Sequence, residues 1–371
     1  MTSVAPLEIF LSCAPGLEPV LRAELVENGF KKPEAEPGGV TLSGGWPEVW
    51  RAALVSRIAN RVLVRVVRFR ASSFPALDTQ ARRVDWAALL ENGAGVRVEA
   101  ACRKSRLGHS GAVAERIERA VAETAGAKPG GEDGLRILAR IERDVCTISL
   151  DATGEPLHKR GYKQAVAKAP MRETLAAAFL RGCDYKGKEP VLDPMCGSGT
   201  FVIEAAEIAS RRAPGRSRSF AFETLASFDP DGFAAVRERL SAPIAPDFTC
   251  RGFDRDAGAI DASIANAARA SVDGFTEFQK RGVAELVPPD GPPGLVIVNP
   301  PYGGRVGEGQ GLRALHRTMG DRLKAFRGWR VGLVTSEEAL ARATGLPFEA
   351  PGPIVDHGGL KIRLWRTGPL T

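Results

Sequence analysis

Two segments of the chain combine residue types that can do chemistry. The first, Asp193 to Phe201, places glycines between an acidic residue and a helical pattern. The second, Asn299 to Tyr302, joins an amide, two prolines and an aromatic ring. A glycine turn at a strand end lets a ligand approach bare backbone, and an amide beside prolines offers oxygen acceptors to an amine. Together the two segments predict methyl transfer from S-adenosylmethionine (SAM) to a planar nitrogen.

The glycine turn has the features expected of a cofactor site. The N-terminus of the helix that follows suits the carboxylate of an amino-acid-like cofactor, and Asp193 suits its ammonium group. An acidic residue would repel a pyrophosphate, and neither Gly-x-Gly-x-x-Gly nor Gly-Lys-Ser/Thr is present, which argues against NAD and against a Walker A loop. The cofactor contacts predicted in this turn are Asp193, Pro194, Cys196, Gly197, Gly199 and Thr200.

The second segment predicts how the target nitrogen is held. The Asn299 side-chain oxygen and the Pro300 carbonyl can each accept one hydrogen of an exocyclic amine, which aims the nitrogen lone pair at the methyl group. Pro300 and Pro301 fix φ and remove two N–H donors, and Tyr302 can stack on a base for about 1–3 kcal/mol. Asn299, Pro300, Pro301 and Tyr302 are therefore predicted as catalytic residues, although the same four residues also suit a plain surface turn.

Two further acidic positions belong to the predicted cofactor cleft or lie near it. Asp254 ends the strand within Gly252–Asp256, where an acidic residue typically accepts hydrogen bonds from ribose hydroxyls. Asp256 is expected to cap the next helix. Glu204, on the helix after the glycine turn, is expected to face solvent or to support the cofactor contacts from behind.

The C-terminal half alternates strand and helix patterns. Strands are predicted near 190–193, 249–254, 276–283, 295–299 and 329–335, with helices over 200–209, 257–270 and 312–326. This alternation predicts an α/β fold with a doubly wound, mostly parallel sheet and a ligand at the carboxyl ends of its strands. The tail, 347–366, predicts a terminal hairpin.

The N-terminal half predicts two α+β regions. Residues 1–70 have the β-α-β-β-α-β pattern of a ferredoxin-like fold, with Val62, Val64 and Val66 on one face of its last strand. Residues 71–155 predict a helix over 77–90 and a basic loop, Arg103 to His109, that either binds phosphates or is simply solvated. The remaining residues, 156–371, form the third predicted domain.

Composition excludes several classes of protein. The chain has 371 residues, 44% of them hydrophobic, and a net charge of +7, which allows a large core and weakly favours a polyanionic partner. Neither a signal peptide nor an apolar membrane span is apparent, so we expect a cytoplasmic protein. Six scattered cysteines and four histidines argue against disulfides and metal sites.

Cys196 lies inside the glycine turn. We expect it to be there because it is small enough to fit the turn, and not because its thiol acts as a nucleophile.

Several motifs give the chain a resemblance that covers nearly all of it. They are Ala14–Glu18, Gly38–Val40, Ser56–Leu63, Leu157–Tyr162, Ala169–Ala177, Asp193–Phe201 with Ile203–Ala206, and Asn299–Gly303. On these motifs the chain resembles the THUMP-domain-containing class I RNA methyltransferases, specifically the RlmL-type N2-guanine methylases of bacterial large-subunit rRNA.

The resemblance implies a Rossmann-like class I methyltransferase domain whose last strand is antiparallel, preceded by ferredoxin-like and THUMP regions that deliver RNA. It implies that the methionine end of SAM lies at Asp193, Gly197 and Gly199, the ribose at Asp254, and the base at 299–302. It also implies that 170–174 flank the cofactor, with Glu173 as a polar contact.

The implied reaction is methylation of N2 of a guanine in RNA, most often 23S rRNA, without a metal or a membrane and with the oligomeric state open. A tRNA guanine-N2 methylase, a DNA adenine-N6 methylase, a protein glutamine methylase and a non-catalytic RNA-binding assembly factor remain alternatives. Two positions depart from the family pattern. Val283 stands where many relatives have an aspartate that accepts the adenine amine, and Gly304 stands where glutamate is usual.

Overall fold

The computed structural model describes residues 6–164, 171–240, 242–302 and 309–371. The chain divides into two compact units. The first holds the chain up to Ser12, Leu25–Leu157 and Arg218–Leu240, and the second holds Cys13–Glu24, His158–Ser217 and the chain after Leu240. Within the described ranges, no helix combines the length and the apolar character needed to cross a membrane.

The elements up to residue 151 alternate between strands and helices. In chain order they are β1 (Leu7–Ser12), α1 (Glu18–Glu27), β2 (Glu34–Glu36), β3 (Gly39–Gly44), α2 (Trp46–Val55), β4 (Arg61–Arg70), α3 (Phe74–Arg82), β5 (Gly95–Arg103), α4 (Ser110–Ala125), β6 (Lys128–Pro129), β7 (Leu135–Glu142) and β8 (Val145–Asp151). The segment from β1 to β4 thus has the β-α-β-β-α-β order predicted from the sequence.

One sheet runs through the whole first unit. Its described strands have the order β2-β3-β1-β4-β8-β7-β5-β6, because β4 pairs antiparallel with β8 across a long register. The ferredoxin-like segment and the segment after residue 71 therefore share one hydrogen-bonded sheet. The three-domain division of the chain stays a prediction.

The predicted alternation in β4 holds only for its first half. Val62 and Val64 are buried, whereas Val66 is partly exposed. The pairing of β4 with β8 shifts register between Arg65 and Val67. An extra residue at such a bulge turns the following side chains relative to the sheet, so a strict period of two fails beyond it.

The helix predicted over 77–90 is wrong in its second half. Helix α3 ends at Arg82, and a short 3-10 turn, Trp86–Ala88, follows it. Asp85 accepts a hydrogen bond from the Ala88 backbone N–H at 3.2 Å. The buried Trp86 ring donates from Nε1 to the Ala81 carbonyl at 2.9 Å. A side-chain cap at Asp85 and a side-chain bond from Trp86 fix this turn, and helical periodicity does not show them.

The remaining elements follow residue 157, with one helix of the first unit among them. They are α5 (Glu173–Gly182), β9 (Val191–Asp193), α6 (Thr200–Ala209), α7 (Pro230–Arg239, in the first unit), β10 (Cys250–Asp254), α8 (Ala257–Arg269), β11 (Thr276–Lys280), β12 (Leu295–Val298), α9 (Gly309–Leu323), β13 (Arg330–Thr335), α10 (Glu338–Ala343), β14 (Val355–His357) and β15 (Leu360–Arg366).

The sheet of the second unit has the predicted topology. Its described strands run β11-β10-β9-β12-β13-β15-β14, with the first five parallel and β15 antiparallel to β13. Strand β12 is buried at all four residues, which suits a central strand covered on both faces. The α/β class, the mostly parallel sheet and the reversed last strand are all confirmed.

Candidate active site

The sheet order brings the two chemistry-bearing segments to one edge. Strand β9 is the middle one of the five parallel strands and pairs with β10 on one side and β12 on the other. These three strands end at Asp193, Asp254 and Val298, with Asn299 directly after the last. Because the carboxyl ends of parallel strands share an edge, the glycine turn and the proline segment meet there.

The glycine turn is bonded directly to the end of β10. The Gly197 backbone N–H donates to Asp254 Oδ2 at 3.0 Å, while Asp254 Oδ1 accepts from the Asp256 N–H at 3.0 Å. Gly199, with φ +83°, precedes the first residue of α6, and a Cβ there would lie 3.1 Å from Ser263. The turn therefore needs glycine both for its backbone angle and for its packing.

Asp193, the last residue of β9, has a carboxyl group with no cationic partner among the residues that the structure describes. It is 2% exposed, and its Oδ1 accepts from the Met195 N–H at 3.0 Å. Burial raises its pKa to about 8 against the opposing effect of the Met195 bond, and the negative charge of Asp254 raises it further. A positively charged ligand group would relieve both effects, so the pair Asp193 and Asp254 fits the ammonium of an amino-acid-like cofactor.

Two other predicted turn residues have structural partners. The Cys196 N–H donates to the Phe253 carbonyl at 2.8 Å, and its buried thiol lies 3.8 Å from Ser263 Oγ. Burial raises the pKa of this thiol well above its usual value, so it is not an ionised nucleophile. Thr200 Oγ1 accepts a hydrogen bond from Lys163 Nζ at 2.9 Å. Their roles as cofactor contacts stay predictions.

Lys163 is a partly buried residue of this site that sequence reasoning missed. Its Nζ donates to the Met171 carbonyl at 2.7 Å and lies 3.4 Å from Glu173 Oε1. Burial raises the pKa of Glu173 and lowers that of Lys163, although the ion pair opposes both shifts. Lys163 thus joins the first residue of α5 to the first residue of α6. The only sequence signal was its position directly after the motif ending at Tyr162.

The expectation that Glu204 faces solvent or supports the cofactor contacts is wrong in its first alternative. Glu204 is fully buried, and its carboxylate lies 3.2 Å from the Arg160 guanidinium, which is also buried. Glu207, one turn later, pairs with Arg216 at 2.6 Å. All residues of α6 except Ile208 are buried, so this helix has no solvent face for a charged side chain.

Two cavities open at this edge of the sheet. The first, about 910 Å³, is lined by Pro194, Met195, Asp254, Arg255, Arg281, Gly282, Val283, Ala284, Asn299, Pro301, Gly311, Leu312, Leu315 and Thr318. The second, about 760 Å³, is lined by Gly197, Asp254, Arg255, Asp256, Gly258, Ala259, Ala262, Asn299, Pro300, Pro301, Tyr302, His357, Gly358 and Leu360. They share Asp254, Arg255, Asn299 and Pro301, which therefore lie at the junction.

The proline segment forms part of both cavities. Asn299 Oδ1 is buried and has no hydrogen-bond partner among the described residues. Pro300 is buried, Pro301 lines both cavities, and Tyr302 lines the second. Burial raises the pKa of Tyr302 to about 12, so its phenol stays neutral. An unpaired amide oxygen at the junction is a ready acceptor for an N–H group.

Not every predicted residue lines a cavity. Pro194, Gly197 and Asp254 do, whereas neither of the two cavities is lined by Asp193, Cys196, Gly199, Thr200 or Glu173. Val283, the departure from the family pattern, is buried against the first cavity. Pro170, predicted to flank the cofactor, and Gly303 and Gly304 lie outside the described residues.

A parallel sheet with a reversed last hairpin, a glycine turn after its central strand and an acidic end on the neighbouring strand define the class I methyltransferase fold. The chain belongs to the RMKL-like methyltransferase family. The family model described as "RMKL-like, methyltransferase domain" matches residues 160–347, and the "RlmL ferredoxin-like domain" matches residues 8–63.

Individual proteins show the same likeness. A ribosomal RNA large subunit methyltransferase K/L of Chromohalobacter salexigens is 35% identical over 93% of this chain and 50% of its own length. A putative RNA methyltransferase of Synechocystis sp. is 32% identical over 96% of this chain and 95% of its own. A solved putative methyltransferase, SMU.472, complexed with SAH, is 26% identical with a TM-score of 0.90, covering 99% of both chains. The chain spans about half the length of the first of these relatives.

Proposed function

We propose that this protein transfers a methyl group from SAM to the exocyclic N2 of a guanine in RNA, with 23S rRNA as the favoured substrate. The observation that carries the proposal is that Asn299, which lines both cavities, has a buried Oδ1 with no hydrogen-bond partner in the described part of the chain. A buried acceptor left without a donor costs roughly 1–3 kcal/mol, and an amine hydrogen of the substrate would satisfy it.

The residues that would hold SAM have a consistent chemistry. Asp193 and Asp254 suit its ammonium and ribose groups, and the bare backbone of Gly197 allows close approach. The first cavity has room for the adenosine part, where Val283 offers apolar packing and no side-chain acceptor to the adenine amine. When bound, SAM supplies an electrophilic methyl group on a sulfonium.

The protein's own contribution to catalysis is to present the nitrogen. The Asn299 side-chain oxygen and the Pro300 carbonyl each accept a hydrogen bond from one N–H of the amine, which leaves the nitrogen lone pair directed at the cofactor. Tyr302 and Pro301 pack against the base in the second cavity. Alignment of this kind needs no covalent intermediate, because the reaction is a direct displacement between two positioned groups. The N–CH3 bond would form as the S–CH3 bond of SAM breaks, S-adenosylhomocysteine would leave, and the methylated nitrogen would lose one proton to solvent. The base must leave its stack, which costs a few kcal/mol and favours unpaired RNA.

RNA is favoured over other substrates by the relatives and by the first unit. Two relatives are described as RNA methyltransferases, one of them acting on large-subunit ribosomal RNA. The last residue of β5, Arg103, and the loop after it expose three basic side chains that suit phosphates, those of Arg103, Lys104 and Arg106. An rRNA substrate also agrees with a cytoplasmic location. A tRNA guanine-N2 methylase shares these features and is the second candidate.

One experiment tests the reaction and the substrate together. The protein is incubated with methyl-labelled SAM and with separate rRNA and tRNA from cells lacking it, and the digested nucleosides are separated. We expect label in N2-methylguanosine from rRNA. The variant Asn299→Ala should lower turnover by at least about a hundredfold while SAM binding stays near wild type, and Asn92→Ala, an exposed asparagine, serves as the matched control. Label on adenosine, or full turnover by Asn299→Ala, would refute the proposal.

A further inference from the structure

The tip of the C-terminal hairpin forms one wall of the second cavity. Strands β14 and β15 are joined by Gly358 and Gly359, with φ +57° and +83°, and His357 pairs with Leu360 across this turn. Two consecutive positive φ angles define the tight turns that match strand twist, so the hairpin places its flanking side chains firmly. His357, Gly358 and Leu360 line the same cavity as Asn299 and Tyr302.

His357 has a polar atom that nothing described in the structure satisfies. Its Nδ1 is buried and has no hydrogen-bond partner within the described ranges. Burial lowers the pKa of His357, and the positive charges of Arg172 and Lys163 lower it further, so the imidazole is neutral. A neutral imidazole keeps one nitrogen as an acceptor and the other as a donor. Among the described residues that line this cavity, Asn299 is the other one with a buried side-chain atom, Oδ1, that has no hydrogen-bond partner.

Leu360 adds an apolar surface beside this nitrogen. It is 41% exposed and lines the cavity together with Tyr302. An aromatic ring and an aliphatic side chain suit the faces of a planar base, while a ring nitrogen suits its edge. The lining of the second cavity thus combines packing groups with two residues, Asn299 and His357, whose buried polar atoms have no partner among the described residues.

We infer that His357, in the neutral tautomer that carries its proton on Nε2, accepts at Nδ1 a hydrogen bond from the N1–H group of the target base and thereby selects guanine. This inference rests on the proposed function and refines it. In guanine the amine held by Asn299 is bonded to a carbon whose neighbour N1 carries a proton. In adenine and in 2-aminopurine, the N1 beside the amine-bearing carbon is unprotonated. Its lone pair would then point at the lone pair of His357 Nδ1, and the two would repel each other. His357 therefore acts as a specificity-determining contact.

The test compares two bases that carry the same amine. Short single-stranded RNAs whose only purine is guanine or 2-aminopurine are offered to the wild-type protein, and kcat/KM is measured for each. Wild type should prefer guanine by roughly tenfold to a hundredfold, the range expected when a buried acceptor loses its donor. His357→Leu should abolish the preference, mainly by lowering kcat/KM for guanine. His357→Asn, whose amide oxygen can still accept, should keep part of it.

Controls separate recognition from folding and from the reaction itself. Asp356→Asn changes the exposed neighbour on the hairpin and should keep the wild-type preference, and thermal unfolding shows whether each variant folds. Equilibrium binding of both RNAs to protein loaded with S-adenosylhomocysteine measures the preference for guanine over 2-aminopurine as a ratio of Kd values, without turnover. A His357-dependent binding ratio with no methylation of either RNA would support the inference and refute the proposed reaction. Two results would overturn the inference while leaving the proposed reaction intact. One is a guanine-to-2-aminopurine ratio of kcat/KM that is the same in His357→Leu as in the wild type, and the other is a wild-type ratio near one.

Discussion

The Gly197 backbone N–H donates a hydrogen bond to the side chain of Asp254 at 3.0 Å. This bond ties the turn after β9 to the end of β10, so two groups predicted separately as cofactor contacts form one connected element. Asp254 Oδ1 meanwhile accepts from the Asp256 N–H. Each carboxylate oxygen can accept more than one hydrogen, so Asp254 keeps acceptor capacity toward the cavities while holding the turn in place.

Asp193 should make the stability of the ligand-free protein fall as pH rises. Its pKa is raised from 3.8 to about 8 by burial, so the folded state binds the extra proton between these values and the unfolded state does not. Stability attributable to this group is therefore lost from about pH 4 to about pH 8, and the loss is complete above pH 8. The variant Asp193→Asn has no carboxyl group to titrate and does not show this loss. The Tm of the variant minus the Tm of the wild type should therefore be about 2–5 °C larger at pH 9 than at pH 5.

The same residue should release a proton when a cationic ligand binds. At pH 7 the ligand-free carboxyl group is largely protonated, and a bound ammonium favours its ionised form. Calorimetric titration with S-adenosylhomocysteine should give heats that depend on the ionisation enthalpy of the buffer. Asp193→Asn should bind at least about tenfold more weakly and lose this dependence. Buffer-independent heats in the wild type would show that Asp193 does not face the ammonium.

Arg160 should be costly to remove. Its guanidinium lies 3.2 Å from the Glu204 carboxylate with both side chains buried, and truncating one partner leaves a buried charge without its counterion. Arg160→Met should lower the free energy of unfolding by about 3–5 kcal/mol, measured by urea denaturation. The double variant Arg160→Met, Glu204→Leu should recover part of this loss. A cost below about 1 kcal/mol for Arg160→Met would mean that the pair is not buried in solution.

Gly199→Ala should damage both stability and cofactor binding. The residue has φ +83°, and a Cβ there would press on Ser263 at 3.1 Å. We expect a loss of about 1–3 kcal/mol in unfolding free energy and weaker binding of S-adenosylhomocysteine. Gly111→Ala is the matched control, since Gly111 is exposed on α4 with ordinary φ and open space around it, so alanine should be neutral or slightly stabilising.

The basic loop after β5 should contribute to RNA affinity and not to cofactor affinity. Arg103, Lys104 and Arg106 are exposed, and changing all three to alanine removes three cations. The slope of log affinity for single-stranded RNA against log salt should fall by up to about 2, with S-adenosylhomocysteine binding unchanged. A triple alanine variant at the exposed Lys31, Arg239 and Lys324 controls for net charge. Equal loss of RNA affinity in both variants would refute a specific role for the loop.

The sequence by itself determined the elements of the second sheet and the order of its motifs. Alternating apolar runs and helical patterns predicted the strands that end at Asp193 and Asp254, and the rules of parallel sheets place their ends at one edge. The β-α-β-β-α-β start and the terminal hairpin followed from local patterns in the same way. Each of these features depends on residues close together in the chain, which is why periodicity and turn residues were sufficient.

Only the tertiary structure decided what each polar side chain contacts. Several features depend on residues far apart in sequence. They are the burial of Glu204 against Arg160, the contact of Lys163 with Thr200, the bulge beyond Arg65, and the cavity that both His357 and Tyr302 line. Local propensity carries no information on such pairings, because the charge and shape of a side chain are compatible with solvent as well as with a buried partner. The free energy of burying a polar group depends on whether the complete fold places a hydrogen-bond or ion-pair partner next to it.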